Sequence, residues 1–579
     1  MLHFKIIKIM KTYIYFILFF AIIVSGCEKF LNKVPLDQIS SNSYWKTPQD
    51  LELYVNQFYT SFPSNAYYNN DVADCNSDNV VLNIYNDILA GTRVVPASGG
   101  DWSWTNLRSV NYFMTHYKTT EAPWAGISQY VGEAYFFRAY FYFLLVQSYG
   151  DVPWINKPLD SNSEELRAPR VPRNVVIDSI VADLDKSISY MSPKGQVSGD
   201  RLNKQVALAF KSRVCLFEGT WEKYHAGTIF GVTNSDGKKY LTLARDAAKQ
   251  IIDEDIYDIY STGKPKVDYF QFFGQEDYSN NPEVLLWRKY DVGLSLMHRV
   301  VSTNFRPVGR GMTKSLVDSY LCIDGLPISQ SPLYSGDNNI NDVIKNRDPR
   351  LAQTIWIPGD LTKITGNDTV RFQKPLIDGN GEYQCTTGYQ LKKLCDFFGE
   401  NLKVEHNERS ISGDILFGYA EVLLNYAEAE AELGEITQSD IDITINKIRD
   451  RIGMAHLQIS NIVPDPQWDY PTLSPVINEI RRERRIELCI QGFRLYDLLR
   501  WRAHHLVVNN RPLGAKFIQS DFPNMVIGIN VFVEDNGYID FYQKALLSGY
   551  GFNPARDYLN PIPSLELTLN KNLEQNPGW

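Results

Sequence analysis

Apolar residues recur with a helical period over several long stretches of this chain, and other stretches, equally long, show no period at all. Helical patterns run from Pro48 to Tyr59, over 104–118 and 128–148, from Arg173 to Met191, from Asn203 to Tyr224 and from Leu241 to Asp253. They return from Gly418 to Leu433, from Ser439 to Arg451 and from Val476 to Leu506. The segment from Gln129 to Ser148 is apolar nearly all round, which predicts a buried helix, and Gly150-Asp151-Val152-Pro153 stops it. Two regions lack sustained periodicity. Residues 62–103 are rich in Asn, Asp, Gly, Ser and Tyr, and their aromatics (Tyr67, Tyr68, Tyr85, Trp102) argue for order. Residues 256–414 hold only short strand-like runs such as Val284 to Trp287, and the tail from Gly549 is rich in Pro and Asn.

The helices fall into pairs, which suggests tetratricopeptide-like units of about 34 residues. Tyr419 to Ile452 fits best: Ala427, Ala429 and Ala431 give small faces for close packing, Gly434 ends the first helix, and Leu423, Leu424, Ile445 and Ile448 supply apolar faces. The expected fold is mainly α, a tetratricopeptide-like helix-pair scaffold with a second, loop-rich irregular lobe. The expected divisions are 1–26, 27–255 and 256–579.

The first division is a signal. An apolar run from Tyr13 to Val24 follows Lys8 and Lys11 and ends at Val24-Ser25-Gly26-Cys27. It is short for a transmembrane helix, and small residues before a cysteine look like the cleavage site of a bacterial lipoprotein, with Cys27 taking the lipid. Several acyl chains, at about 0.8 kcal/mol per buried methylene, anchor a protein without a span.

Charge narrows the partners. The 58 basic residues less the signal's three leave 55 against 67 acidic ones, a net of −12. That disfavours nucleic acid and anionic lipid. The other six cysteines are scattered with no C-x-x-C pair, so zinc and redox sites are not expected. Cys215 and Cys489 read as buried thiols, and Cys385 and Cys395 are a candidate pair in an oxidising compartment.

Catalytic motifs are mostly missing. There is no G-x-S-x-G and no H-E-x-x-H, and Gly309 and Gly311 before Lys314-Ser315 lack the Gly that a phosphate loop needs. His504-His505 reads as surface. Asp74-Cys75-Asn76-Ser77-Asp78 has the oxygen spacing of half a calcium loop, but Asn79 replaces its Gly and Tyr85 its closing Glu, so an Asx turn is the better reading. The run Arg481 to Glu487 interleaves charges at helical spacing. An ion-pair network, with Glu479 by Arg482 and Arg484 by Glu487, fits it better than a nucleic-acid patch. Neither cofactor nor metal is expected.

Several stretches together resemble one family, the SusD-like (SusD/RagB) outer-membrane lipoproteins. They are Cys27-Glu28-Lys29-Phe30-Leu31 with Pro35, Tyr44-Trp45 and Asp50; Gly132-Glu133-Ala134-Tyr135-Phe136-Phe137-Arg138-Ala139-Tyr140 running into Tyr149-Gly150-Asp151-Val152-Pro153; and Arg170-Val171-Pro172-Arg173. Asn346-Arg347-Asp348-Pro349-Arg350-Leu351, Thr387-Gly388-Tyr389, Ala427-Glu428-Ala429, Ile448-Arg449, Glu483-Arg484-Arg485, Asp497-Leu498, Pro561-Ile562-Pro563 and Gln575-Asn576-Pro577-Gly578-Trp579 continue the likeness. The resemblance implies a non-catalytic protein on the outer face of the outer membrane. It would capture an oligosaccharide and pass it to a SusC-like TonB-dependent transporter. The alternatives are a peptide-binding relative and a lid with little binding of its own.

A glycan receptor needs flat aromatic platforms edged by polar groups. The resemblance places them by region, in the loops before the early helices and in the middle region. The candidates there are Trp102, Tyr85, Asn86 and Arg93, and then Tyr290, Asp291, His298, Phe305 and Arg306. Trp104 is expected to pack inward with its helix.

Overall fold

In the computed structural model, the residues described are 44–64, 74–298, 307–365, 368–394 and 410–579. Cys27, Phe305 and Arg306 lie outside them, as does Cys395. The helices α1 (Pro48–Asn56), α2 (Thr105–His116), α3 (Trp124–Tyr149), α4 (Arg173–Tyr190), α5 (Lys204–His225), α6 (Lys238–Asp253) and α7 (Tyr419–Leu433) follow the sequence pattern to within a turn. α3 packs on α4, α5 on α6, and α6 on α7. The scaffold therefore draws on both sides of residue 255. The partner of α7 is the helical stretch 438–452, which carries one π turn at Asp442–Asn446. No helix among the described residues is long and apolar enough to cross a membrane.

Close approach explains two of the glycines. A Cβ on Gly132 of α3 would sit 2.6 Å from Met191 Cγ, so the glycine lets α3 lie against the end of α4. Gly237 has φ +75°, and a Cβ there would fall 1.9 Å from the Gly219 carbonyl, so the turn into α6 can rest on α5. α3 is buried on nearly all sides, as its composition predicts, and its buried charges Glu133 and Arg138 are paired. Glu133 accepts from Arg201 Nε at 2.7 Å, and Arg138 meets Asp183 at 2.6 Å.

The irregular regions are tied by short antiparallel ladders. β1 (Val80–Leu82) pairs with β3 (Arg310–Met312), β2 (Val284–Arg288) with β6 (Asp414–Gly418), and β4 (Leu361–Thr365) with β5 (Asp368–Arg371). The largest core cluster runs from Trp45 to Ile562. A second cluster, under the loops, gathers Val80, Met312, Tyr320, Leu351 and Ile490.

The structure corrects the expectation of one helix from Val476 to Leu506. It is two, α8 (Pro475–Glu487) and α9 (Arg494–Arg500), followed by a 3-10 turn at His504–Leu506. Ile490 has φ +64° and Gly492 φ +80°. The Asp74 carboxylate accepts from both freed amides, at 2.7 Å from Ile490 and 2.9 Å from Gly492. Asp74 also takes Asn79 Nδ2 at 3.0 Å, and the turn is closed by Ser77 N donating to the Asp74 carbonyl at 3.1 Å, so the Asp74 carboxylate serves the α8–α9 break where an Asx turn was expected.

The charged run on α8 is buried, and its partners are mostly on other elements. Arg482 does reach Glu479, at 3.5 Å. Arg484, however, pairs with Asp497 at 2.9 Å and not with Glu487. Glu487 instead accepts from Arg350 at 2.9 Å and is also paired with Arg451. On α7, Glu428 accepts from Arg500 Nη2 and from Trp501 Nε1, both at 2.7 Å. Burial by itself would raise the Glu428 pKa, but the charges of Arg500, Arg484 and Arg481 outweigh it and hold the group at about 2. A carboxyl held below its ordinary value of 4.5 stabilises the fold above that value and loses the contribution as pH falls to its folded pKa. Denaturant titrations should show stability falling between about pH 5 and pH 2. Arg500→Ala should flatten that fall, and an equally steep fall in the variant would refute the assignment.

Cys215, Cys322, Cys385 and Cys489 are buried free thiols, and Cys75 is buried as well. The candidate pairing of Cys385 falls on a residue outside those described.

Candidate functional site

Most residues picked from the early irregular segment are joints of the fold. Trp102 is buried, with its ring 4.8 Å from Tyr149 and 5.6 Å from Trp104, both edge-on. It is more buried than Trp104, which reverses the sequence expectation for the two. The reason is tertiary: the Gly99-Gly100 turn folds Trp102 back onto the end of α3, whereas Trp104 caps α2. Tyr85 is half-buried edge-on to Tyr542. Asn86 caps the short helix Asp87–Ala90, accepting from Ile88 N at 2.9 Å and Leu89 N at 3.1 Å. Arg93 clasps the C-terminal tail. It donates to the Asp557 carbonyl at 2.7 Å and to Asn560, and lies 5.2 Å over the Trp579 ring.

Of the middle residues, Tyr290, Asp291 and His298 do come together. β2 runs into Tyr290, and a tight hairpin from Asp291 to Leu296 follows, closed by Asp291 N donating to Leu296 O at 2.8 Å. The Asp291 carboxylate accepts from Leu294 N at 3.1 Å. The hairpin holds Val292, Leu294 and Leu296 in solvent. His298 exchanges backbone bonds with Ser410, and its ring nitrogen lies 2.8 Å from the Ser412 carbonyl. The rings of Tyr290 and His298 meet edge-on at 4.5 Å. The Tyr290 hydroxyl is bonded to Asp414 at the start of β6 and lies 2.9 Å from Ser64 Oγ. Burial, then the Asp414 charge, pushes the Tyr290 phenol well above its ordinary range, and burial lowers His298. Both groups are neutral near pH 7 and serve as hydrogen-bonding groups.

Residues 61–64 join this cluster to the entrance of the early helices. Ser64 meets Tyr290, and Ser61 Oγ accepts from Asn106 Nδ2 in the first turn of α2 at 3.1 Å. Arg288 of β2 donates to the Phe62 carbonyl at 2.7 Å and to that of Tyr59 at 3.3 Å. The early loops and the middle region thus meet along one short strip carrying Asn106, Ser61, Ser64, Arg288 and Tyr290. Sequence reasoning reached only Tyr290 of these. Asn106, Ser61 and Ser64 look like ordinary helix-start and loop residues, and only the tertiary contacts set them apart. The strip offers hydroxyls, amides and a guanidinium, the groups that polar recognition uses.

Comparisons with known proteins agree with this architecture. The model of the SusD family matches residues 306–579, and a second model, described as "Starch-binding associating with outer membrane", matches residues 29–216. SusD-like protein P2 of Formosa agariphila is 22% identical, over 98% of this chain and 100% of its own. SusD-like protein P38 of the same organism is 24% identical, over 83% of this chain and 88% of its own. The fold is that of a SusD-like carbohydrate-binding protein from Bacteroides fragilis, with TM-score 0.71, 22% identity and coverage of 92% of this chain and 99% of that one. A second SusD-like protein from Bacteroides fragilis superimposes with TM-score 0.70 at 24% identity, covering 94% and 100%. The chain belongs to the SusD-like (SusD/RagB) family.

Proposed function

We propose that this protein is a non-catalytic glycan-binding lipoprotein, anchored through Cys27 in the outer membrane and facing the cell exterior. It captures an oligosaccharide and delivers it to a SusC-like TonB-dependent transporter. The observation that carries the binding reading is the strip where Ser61 and Ser64 connect Asn106 to Tyr290. It puts hydrogen-bonding side chains from both regions in which the resemblance locates the ligand next to one another. Family membership supports carbohydrate as the ligand class. The exposed apolar hairpin at Val292, Leu294 and Leu296 favours a second reading, a lid whose main partner is a protein.

The test is calorimetry of the chain lacking residues 1–27 against plant, host and microbial glycans. Binding that is lost on Asn106→Trp, with the far-ultraviolet spectrum unchanged, supports the glycan reading. Binding to peptides alone, or to nothing in the absence of a transporter, moves the weight to the alternatives. Anchoring has its own prediction. Cys27→Ala should shift the protein from the membrane fraction to the soluble one, and retention in the membrane would contradict the lipid assignment.

A further inference from the structure

A cleft of about 160 Å³ opens between the short helix Ile340–Ile344, residues 373–377 and residues 515–522. None of the candidate ligand residues chosen from the sequence lies in it. Its back wall forms because Gly388, at φ +83°, lets the chain pass within reach of Ala515: a Cβ there would sit 3.1 Å from the alanine's. Tyr389 follows directly and lines the wall.

The floor is apolar. Val343, Ile377 and Phe522 are buried below it, and half-buried Ile340 edges it. The mouth is polar, with the exposed amides of Asn341 and Gln373. An apolar base under a polar lip matches a sugar ring, which has a C–H face and a hydroxyl rim.

The charges decide which sugar. Lys374 donates to the Asp521 carbonyl at 2.6 Å, reaches Asp378 at 3.3 Å and lies 4.1 Å over the Phe522 ring. Lys516 is 3.0 Å from Asp337 and donates to Asn338 Oδ1 at 3.0 Å. Asp337 also takes the Tyr538 hydroxyl and lies 3.4 Å from Lys314. Of the two lysines lining the cleft, Lys516 is paired with Asp337 and Lys374 with Asp378, so both ammonium groups are already engaged. A carboxylate or sulfate entering here would lose hydration and meet no unmatched cation. Uncharged hydroxyls pay no such penalty.

We propose that this cleft is a second carbohydrate site, separate from the Asn106–Tyr290 strip, and that it takes an uncharged sugar unit. The proposal rests on the glycan-binding reading. The experiment is saturation-transfer NMR of the chain lacking residues 1–27, with neutral malto-, xylo- and galacto-oligosaccharides and with oligogalacturonate as the anionic probe. Asn341→Trp fills the mouth of the cleft, Gln373→Trp does the same from the other lip should the first variant not fold, and Asn106→Trp blocks the strip.

The expected result is transfer to at least one neutral probe that persists in Asn106→Trp and is largely lost in Asn341→Trp, with no Asn341→Trp-sensitive transfer to oligogalacturonate. Transfer lost in Asn106→Trp and untouched by both cleft variants overturns the second site while leaving the glycan reading intact. Cleft-dependent transfer to oligogalacturonate in place of the neutral probes overturns the uncharged class. Transfer to no probe overturns the proposal and the glycan reading together.

Discussion

Replacing Arg350 with Ala should cost the protein about 3–5 kcal/mol, because it leaves buried carboxylates without their shared cation. Arg350 is 1% exposed and touches three acids: Asp348 at 2.7 Å, Glu483 at 2.7 Å and Glu487 at 2.9 Å. Arg449 and Arg451 hold the far sides of Glu483 and Glu487, and Arg451 also pairs with Glu283 at 3.0 Å. Burial works against every charge in this group, and only their mutual attraction keeps Glu483 and Glu487 below the ordinary glutamate range. Arg350 is also the most connected member, since Asp348 caps the helix Pro349–Thr354 and accepts from Arg350 N at 2.9 Å. Urea titration should show a lower midpoint with an unchanged slope. A loss under about 0.5 kcal/mol, the range expected of an exposed pair such as Lys239 with Asp178, would show that the network contributes nothing.

That network marks the boundary of what the sequence revealed. Local periodicity placed the helix pairs because each amphipathic face is written within one segment. It missed the break between α8 and α9 because the acceptor for the freed amides is Asp74, far away in the chain. It paired Arg484 with Glu487 by helical spacing, but tertiary packing brings Asp497 closer. Distance along the chain hid the candidate site in the same way. Arg93 reads as a ligand candidate within its own segment, and the contacts that tie it into the fold come from Asp557, Asn560 and Trp579 of the tail.

The motifs that carried the family resemblance turn out to be joints. Arg173 meets Glu218 at 2.7 Å and lies 3.9 Å over Trp221. Arg170 donates to the Tyr149 carbonyl at 2.8 Å, and Asn576 Nδ2 donates to the same carbonyl at 3.1 Å. Such residues are legible because the fold needs them in fixed places. A ligand strip made of Ser, Asn and Tyr carries no comparable signature. This is why family and fold could be read from the chain, and the individual contacts of the site could not.

The same distinction fixes the expected result for Trp102. As a ligand platform, Trp102→Ala would abolish binding and leave stability unchanged. As a core residue it should do the reverse. The ring is 7% exposed, and it locks the loop before α2 against Tyr149 at the end of α3. Truncating a buried Trp to Ala costs about 3–5 kcal/mol through lost burial and the cavity left behind. We therefore expect a large drop in the urea midpoint, with ligand affinity per folded molecule unchanged within about 0.5 kcal/mol. Trp102→Phe keeps part of the edge-on contact and should lose less, which keeps the measurement possible if the alanine variant does not fold. Binding lost at full stability would return Trp102 to the ligand site, and would require its ring to turn outward from Tyr149 when the ligand arrives.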